Sequence, residues 1–149
     1  MANYKRASVV VVASATGTQT LTNAGSGVRL QWAETADQTD YAQAASHLNN
    51  HKFTAPYTGF YQVSVSLYFG NSITLTAGFI SVVLNNNLAT GIILSNGAVA
   101  TGQVQNITRV FKLTAGDTVD IYAAQTSGSD RTPDAVNTTL SIIRVGNAS

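Results

Sequence analysis

The sequence predicts an all-β, two-sheet antiparallel sandwich. Three observations lead there. Apolar residues recur at every second position in several runs, as in strands that bury one face. No window sustains the i, i+3, i+4, i+7 spacing of an amphipathic helix. The runs are short and are separated by Gly, Asn and Asp, the residues of turns.

The first candidate strand is Ser8 to Ala13, a run of valines whose β-branched side chains suit a pleated surface. Lys5 and Arg6 precede it and imitate the start of an export signal. The apolar run from Val9 to Ala13 is shorter than the ~7–15 residues such a signal needs. The strand reading is therefore preferred, and export by that route is not expected. The second strand, Val28 to Ala33, sets Val28, Leu30 and Trp32 on one face and Arg29 and Gln31 on the other. The third and longest, Gly59 to Phe69, alternates Tyr61, Val63, Val65, Leu67 and Phe69 with Gln62, Ser64, Ser66 and Tyr68. Its first face wants a core. Its second is small, polar and uncharged, and its surroundings are a functional question.

Gly78 to Leu84 follows, with Ile80, Val82 and Leu84 in alternation. Asn85 to Asn87 is a turn signal, because Asn tolerates positive φ. Leu88 to Leu94 is the expected hairpin partner. Val104 to Leu113 is a further strand, Thr114 to Thr118 a tight turn, and Val119, Ile121 and Ala123 open the next alternation. Thr138 to Val145 closes the series. Two loops stand out: Glu34 to Ala45, and Gln125 to Asn137, which is expected to be exposed.

Composition narrows the function classes. The 149 residues suit one domain with a sizeable core. Only 10% are charged, against roughly 25% in ordinary soluble domains. A surface poor in Lys and Glu is either one solvated by hydroxyls and amides or one covered by partners, since interface centres are depleted in charge. Net charge is +1 without a basic run, so nucleic-acid binding has no electrostatic footprint. No stretch approaches the ~20 apolar residues of a membrane-spanning helix. Cysteine is absent, which excludes disulfides, thiolate nucleophiles and zinc–cysteine sites.

Candidate chemical sites are thin. His47 and His51 are four apart, but Asn49 and Asn50 between them argue a turn, not the helix that aligns two ligands. Asp117 and Asp120 lie in and just after a turn, where Asp serves local hydrogen bonding. Asp37, Asp40, Asp130 and Asp134 offer hard oxygen ligands for calcium, yet without the dense acidic spacing of a loop site; solvated carboxylates are the simpler reading. Asn106 and Asn137 match glycosylation acceptors, which arise by chance in an Asn- and Thr-rich chain. Trp32, Tyr41 and Tyr57 are candidates for a sugar-stacking platform, although the alternation places Trp32 in the core. With no poised nucleophile, acid, base, metal or cofactor site, enzyme activity is not expected.

Two motifs carry a family resemblance. Phe53 to Val63, "FTAPYTGFYQV", resembles the Phe-x-Ala-Pro-x-x-Gly-x-Tyr-x-Phe signature of the complement globular-head domains, relatives of tumour necrosis factor. Val110 to Ala123, "VFKLTAGDTVDIYA", resembles their Leu-x-x-Gly-Asp-x-Val segment, and "LSIIRVG" stands where a terminal strand is expected. The spacing fits from about Val28 to the end, with Val63 where that family usually has Phe. The resemblance implies a ten-stranded jelly roll that assembles as a homotrimer, with one sheet of each subunit against the threefold axis. Residues 1–27 would then be an N-terminal arm and first strand, and residues 28–149 the remainder of a single jelly-roll domain. Gly59 to Phe69 would lie in the inner sheet beside Val104 to Leu113, and Phe60, Gln62, Ser64, Ser66, Tyr68 and Val110 would meet neighbouring subunits.

Without a collagen-like or coiled-coil stalk in the sequence, the chain looks like a tailed-phage capsid decoration, or cement, protein. The expectation is a structural virion protein, made in the host cytoplasm, that clamps subunits of the major capsid protein at threefold positions. Tyr4, Lys5 and Arg6 would form the capsid-contacting arm. The rival expectation is the receptor- or glycan-binding head of a phage fibre or bacterial adhesin. Neither expectation requires a cofactor, a nucleic acid or a membrane.

Overall fold

The computed structural model describes residues 10–23, 27–34, 48–70, 77–90, 92–96 and 105–147. Eleven strands run through them: β1 (Val10–Ala15), β2 (Val28–Arg29), β3 (Trp32–Glu34), β4 (Leu48–Asn49), β5 (Lys52–Thr54), β6 (Gly59–Leu67), β7 (Ala77–Leu84), β8 (Ile92–Asn96), β9 (Gln105–Leu113), β10 (Thr118–Thr126) and β11 (Thr139–Gly146). One sheet has the order β3-β1-β11-β6-β9 and the other β4-β5-β10-β7-β8, with β2 also pairing β10. Every pairing is antiparallel. The all-β antiparallel sandwich is thus present.

Period-2 alternation drives the inner faces together. Tyr61, Val63, Val65 and Leu67 from β6 meet Ile80 and Val82 from β7 and Val119, Ile121 and Ala123 from β10 in a single core. Trp32 is part of it, as its alternation predicts. The valine run resolves the same way: Val11, Ala13 and Ala15 are buried, while Val12 and Ser14 point away.

The predicted strand Val28 to Ala33 is instead two. β2 pairs β10 in the second sheet, and β3 pairs β1 in the first. The chain changes sheets at Leu30 and Gln31. Leu30 N–H donates to Ile121 O (2.8 Å), and Thr16 N–H donates to Gln31 O (3.1 Å), so the crossing is tied to both sheets. Leu30 itself is fully buried. Alternation could not reveal the break because Val28, Leu30 and Trp32 keep the same inward phase throughout.

The expected return strand Leu88 to Leu94 is displaced. One turn of 3₁₀ helix occupies Leu88–Thr90, and β8 begins at Ile92. The loop expected from Gln125 starts later, because β10 runs to Thr126 and Gln125 is buried; Pro133, within the loop, is buried as well. Both Asn turns hold. Asn85 and Asn86 have φ of 52° and 57°, and Asn50 and His51 have 49° and 64°. Each pair forms the two-residue, positive-φ connection that matches the twist of flanking strands. His51 therefore sits at a hairpin tip, and its Nδ1 lies 3.1 Å from Trp32 N and 2.9 Å from Trp32 O.

Candidate functional site

The face of the first sheet turned away from the core is the candidate site. Its layout follows from register. On β6 the residues between the core positions are Phe60, Gln62, Ser64 and Ser66. In β9 they stand opposite Lys112, Val110, Thr108 and Asn106. Across the other edge of β6, Gln62 faces Ile143, Ser64 faces Ser141 and Ser66 faces Thr139 in β11. One strand further, Ser141 faces Val12 and Thr139 faces Ser14. Directly opposed residues share a face, so these rows form one continuous surface.

The surface has two zones. Phe60, Val110 and Ile143 gather toward the start of β6, and Val110 is 52% and Phe60 39% exposed. Val145 is also exposed, at the bulge between Arg144 and Gly146. Toward the end of β6 the rows are hydroxyls and amides: Ser64, Ser66, Thr108, Asn106, Ser141, Thr139 and Ser14. Thr108 Oγ1 donates to Ser64 Oγ (3.1 Å), which satisfies two hydroxyls across the strand pair. No acidic residue occurs among these described positions.

Phe60, Gln62, Ser64, Ser66 and Val110 lie together on this face. Tyr68 lies one residue beyond β6 and is half-buried; its backbone is clasped by Thr138 Oγ1 (3.1 Å) and by Asp134 N–H (2.8 Å). Tyr4, Lys5 and Arg6 lie outside the described residues, as do Asp37, Asp40, Tyr41 and His47. Ile143 and Val12 belong to the face but are not evident from the sequence. In "SIIRV" one of two consecutive isoleucines must point outward, and only pairing with β6 shows that it is Ile143. Lys112 is a second omission. It places one cation at the margin of a face expected to carry none.

Two arginines occupy core-phase positions without entering the core. Arg109 stands opposite Val63 on the outermost described strand of the sheet and is exposed. An inward-phase charge on an edge strand discourages edge-to-edge pairing. Arg144 stands opposite Tyr61, donates from Nη2 to Thr58 O (2.8 Å) and lies 5.4 Å from the centre of the Tyr57 ring. The Tyr61 hydroxyl donates to Tyr57 O (2.7 Å). Burial pushes the Tyr61 phenol up from its ordinary value, outweighing that hydrogen bond and the Arg144 charge.

The carboxylates separate into different roles. Asp117 serves its turn, accepting from Thr114 N–H (2.8 Å) and Asn85 Nδ2 (3.0 Å). Asp130 accepts from Asn23 N–H (2.8 Å). Asp134 accepts from the N–H groups of Asn137 and Val136 and from Asn137 Nδ2. Asp120 departs from the local turn role: it is 1% exposed, with Arg29 Nη1 3.5 Å and Lys52 Nζ 3.7 Å from its two oxygens. Its position early in β10, two residues past the end of the turn signal, concealed this. No group of three or more metal-ligating side chains occurs among the described residues.

No family model and no curated protein matches this sequence. Solved structures do match in fold. Eiger TNF from S. frugiperda superposes with a TM-score of 0.63 at 11% identity, covering 97% of this chain and 96% of that one. Murine APRIL at pH 8.5 gives 0.60 at 11% identity, covering 93% and 99%. The sandwich is therefore a tumour-necrosis-factor-like jelly roll. At these identities the likeness is one of fold, and function must be argued from the site.

Proposed function

We propose that this chain is a structural, non-enzymatic module that forms a homotrimer through the outward face of its first sheet. The observation that carries the reading is that face itself. It combines an exposed aromatic and aliphatic cluster with small hydroxyl residues and has no acid among its described positions. Packed around a threefold axis, acidic or basic rows would be stacked upon themselves and repel, whereas apolar side chains and hydroxyls can be buried and satisfied. The fold's similarity to Eiger TNF and APRIL supports the architecture on which such an interface rests.

In this reading the trimer is a capsid decoration, or cement, protein that clamps neighbouring major capsid subunits at threefold positions of a virion. A trimer on a threefold site offers three equal contacts, so modest single contacts combine into tight binding. The arm at Tyr4, Lys5 and Arg6 supplies cationic contacts to an acidic shell. Removal of residues 1–6 is expected to lower occupancy on purified capsids; undiminished occupancy would dismiss the arm.

Assembly is tested first. Light scattering on the purified chain should give three times the chain mass. Val110→Asp should give a folded monomer, because it places a carboxylate in the apolar cluster and repeats it around the axis. A wild-type monomer at high concentration would reject the proposal. Tyr57, exposed and held against Arg144, is the feature that favours a glycan-binding head instead, and loss of glycan-array binding in Tyr57→Ala would support that alternative.

A further inference from the structure

On the second sheet, away from the proposed interface, an amine, an amide and a buried acid stand together. Lys52 Nζ donates to Asn86 Oδ1 at 2.6 Å and lies 3.7 Å from Asp120 Oδ2. Asp120 is almost wholly buried, and its Oδ2 has no hydrogen-bond partner. A buried carboxylate oxygen held by a 3.7 Å ion pair without a hydrogen bond is costly, so its retention calls for an explanation. We propose that Lys52 and Asn86 are joined by an intramolecular isopeptide bond, with Asp120 as the proton-transfer group.

The fold holds the three groups in place. β10 runs between β5 and β7, and it carries Asp120. Thr118 and Val119 pair with Thr54 and Phe53, so Asp120 and Lys52 occupy the next positions along adjoining strands. Asn86 sits in the turn after β7, and that turn is fixed by Asn85. The Asn85 backbone N–H donates to Thr118 O (3.0 Å), and its side chain accepts from Thr118 N–H (2.8 Å) and donates to Asp117 (3.0 Å). The Asn86 carbonyl carbon can be no more than one C=O bond, ~1.2 Å, farther from Nζ than its oxygen is. Little motion separates this from an attack geometry.

The step balances without an oxidant or a co-reactant. The Lys52 ammonium passes one proton to the Asp120 carboxylate, leaving a neutral amine and a neutral acid. The amine attacks Asn86 Cγ, and the Nζ–Cγ bond forms. The Cγ–Nδ2 bond then breaks, and Nδ2 departs with the protons from Nζ and Asp120 as ammonium, regenerating the carboxylate. Arg29 remains charged. Its Nη1 holds Oδ1 at 3.5 Å, which leaves Oδ2 as the oxygen facing the amine. Attack needs an unprotonated amine, so mildly alkaline incubation is the condition that favours closure.

Intact-mass measurement of the folded full-length chain, before and after prolonged incubation at mildly alkaline pH, tests this. The expected result is a loss of one ammonia, a branched peptide joining Lys52 to Asn86, and no tryptic cleavage after Lys52. Lys52→Arg and Asp120→Asn, verified as folded by circular dichroism, should keep the full mass. An unchanged wild-type mass after incubation overturns the proposal and leaves a hydrogen-bonded ion pair. Ammonia loss that persists in Lys52→Arg also overturns it, assigning the loss to succinimide formation, for which Asn96 followed by Gly97 is the obvious site.

Discussion

Single side chains decide the ends of the first sheet. At Gly59 a Cβ would lie 2.6 Å from Gly146 O and 2.7 Å from Arg144 Nε, so no side chain fits without moving backbone. Gly59→Ala is expected to destabilise by about 1–3 kcal/mol, the range for overpacking, read from the urea midpoint at constant slope. Asp134 acts through charge. The Asn137 backbone N–H, with further donors at the Asn137 side chain and Val136 N–H, holds its carboxyl below the usual carboxylate range, against a smaller opposing effect of desolvation. A depressed folded value stabilises the protein above the unfolded value and is lost as pH falls through the folded one. The urea-midpoint gap between wild type and Asp134→Ala should therefore be constant near neutrality and close progressively below about pH 4. A gap that persists unchanged to pH 2 would show that Asp134 acts through packing alone.

Elements show where the sequence speaks and where it is silent. β6 is legible because it alternates over nine residues and buries one face against the other sheet; β9 keeps that phase except at the exposed Arg109, and β10 opens with it at Val119, Ile121 and Ala123 but is buried on both faces. The crossing between β2 and β3 is invisible because a strand that changes sheets can keep its inward phase. Leu30, at that crossing, is tied to the second sheet by its own N–H and to the first through the carbonyl of Gln31, and is wholly buried. Leu30→Ala should cost about 2–5 kcal/mol, as large-to-small core changes do, and should reduce amide protection at Thr16 and Leu30 ahead of β6. Uniform loss across the domain would mean that the crossing is no weaker than the core. The candidate face was half legible for a related reason. Phe60, Gln62, Ser64 and Ser66 follow from one strand's own alternation, whereas Ile143, Val12 and Lys112 join them only through pairing between segments far apart in sequence. Asp120 was hidden similarly, since its cations come from β2 and β5.

At the scale of the whole molecule, the unusual quantity is charge. A chain with 10% charged residues places few of them on the proposed interface, where Lys112 is marginal and Arg109 and Arg144 belong to the opposite phase. Association through the proposed interface would be driven by removing Phe60, Val110, Ile143 and Val145 from water and would owe little to long-range attraction. Its response to salt follows. Between roughly 0.1 and roughly 1 M NaCl the Debye length falls from about 10 to about 3 Å, and an ion-paired interface weakens accordingly. The proposed trimer should dissociate on dilution at a concentration that shifts less than about twofold over that range, and sulfate, which strengthens apolar burial, should push the midpoint lower. Sedimentation velocity across a dilution series reads both effects. Tenfold weakening in NaCl would mean that charged groups outside the described face, the Lys5 and Arg6 arm among them, hold the subunits together. The acid-free face would then be a solvated surface of hydroxyls and incidental aromatics.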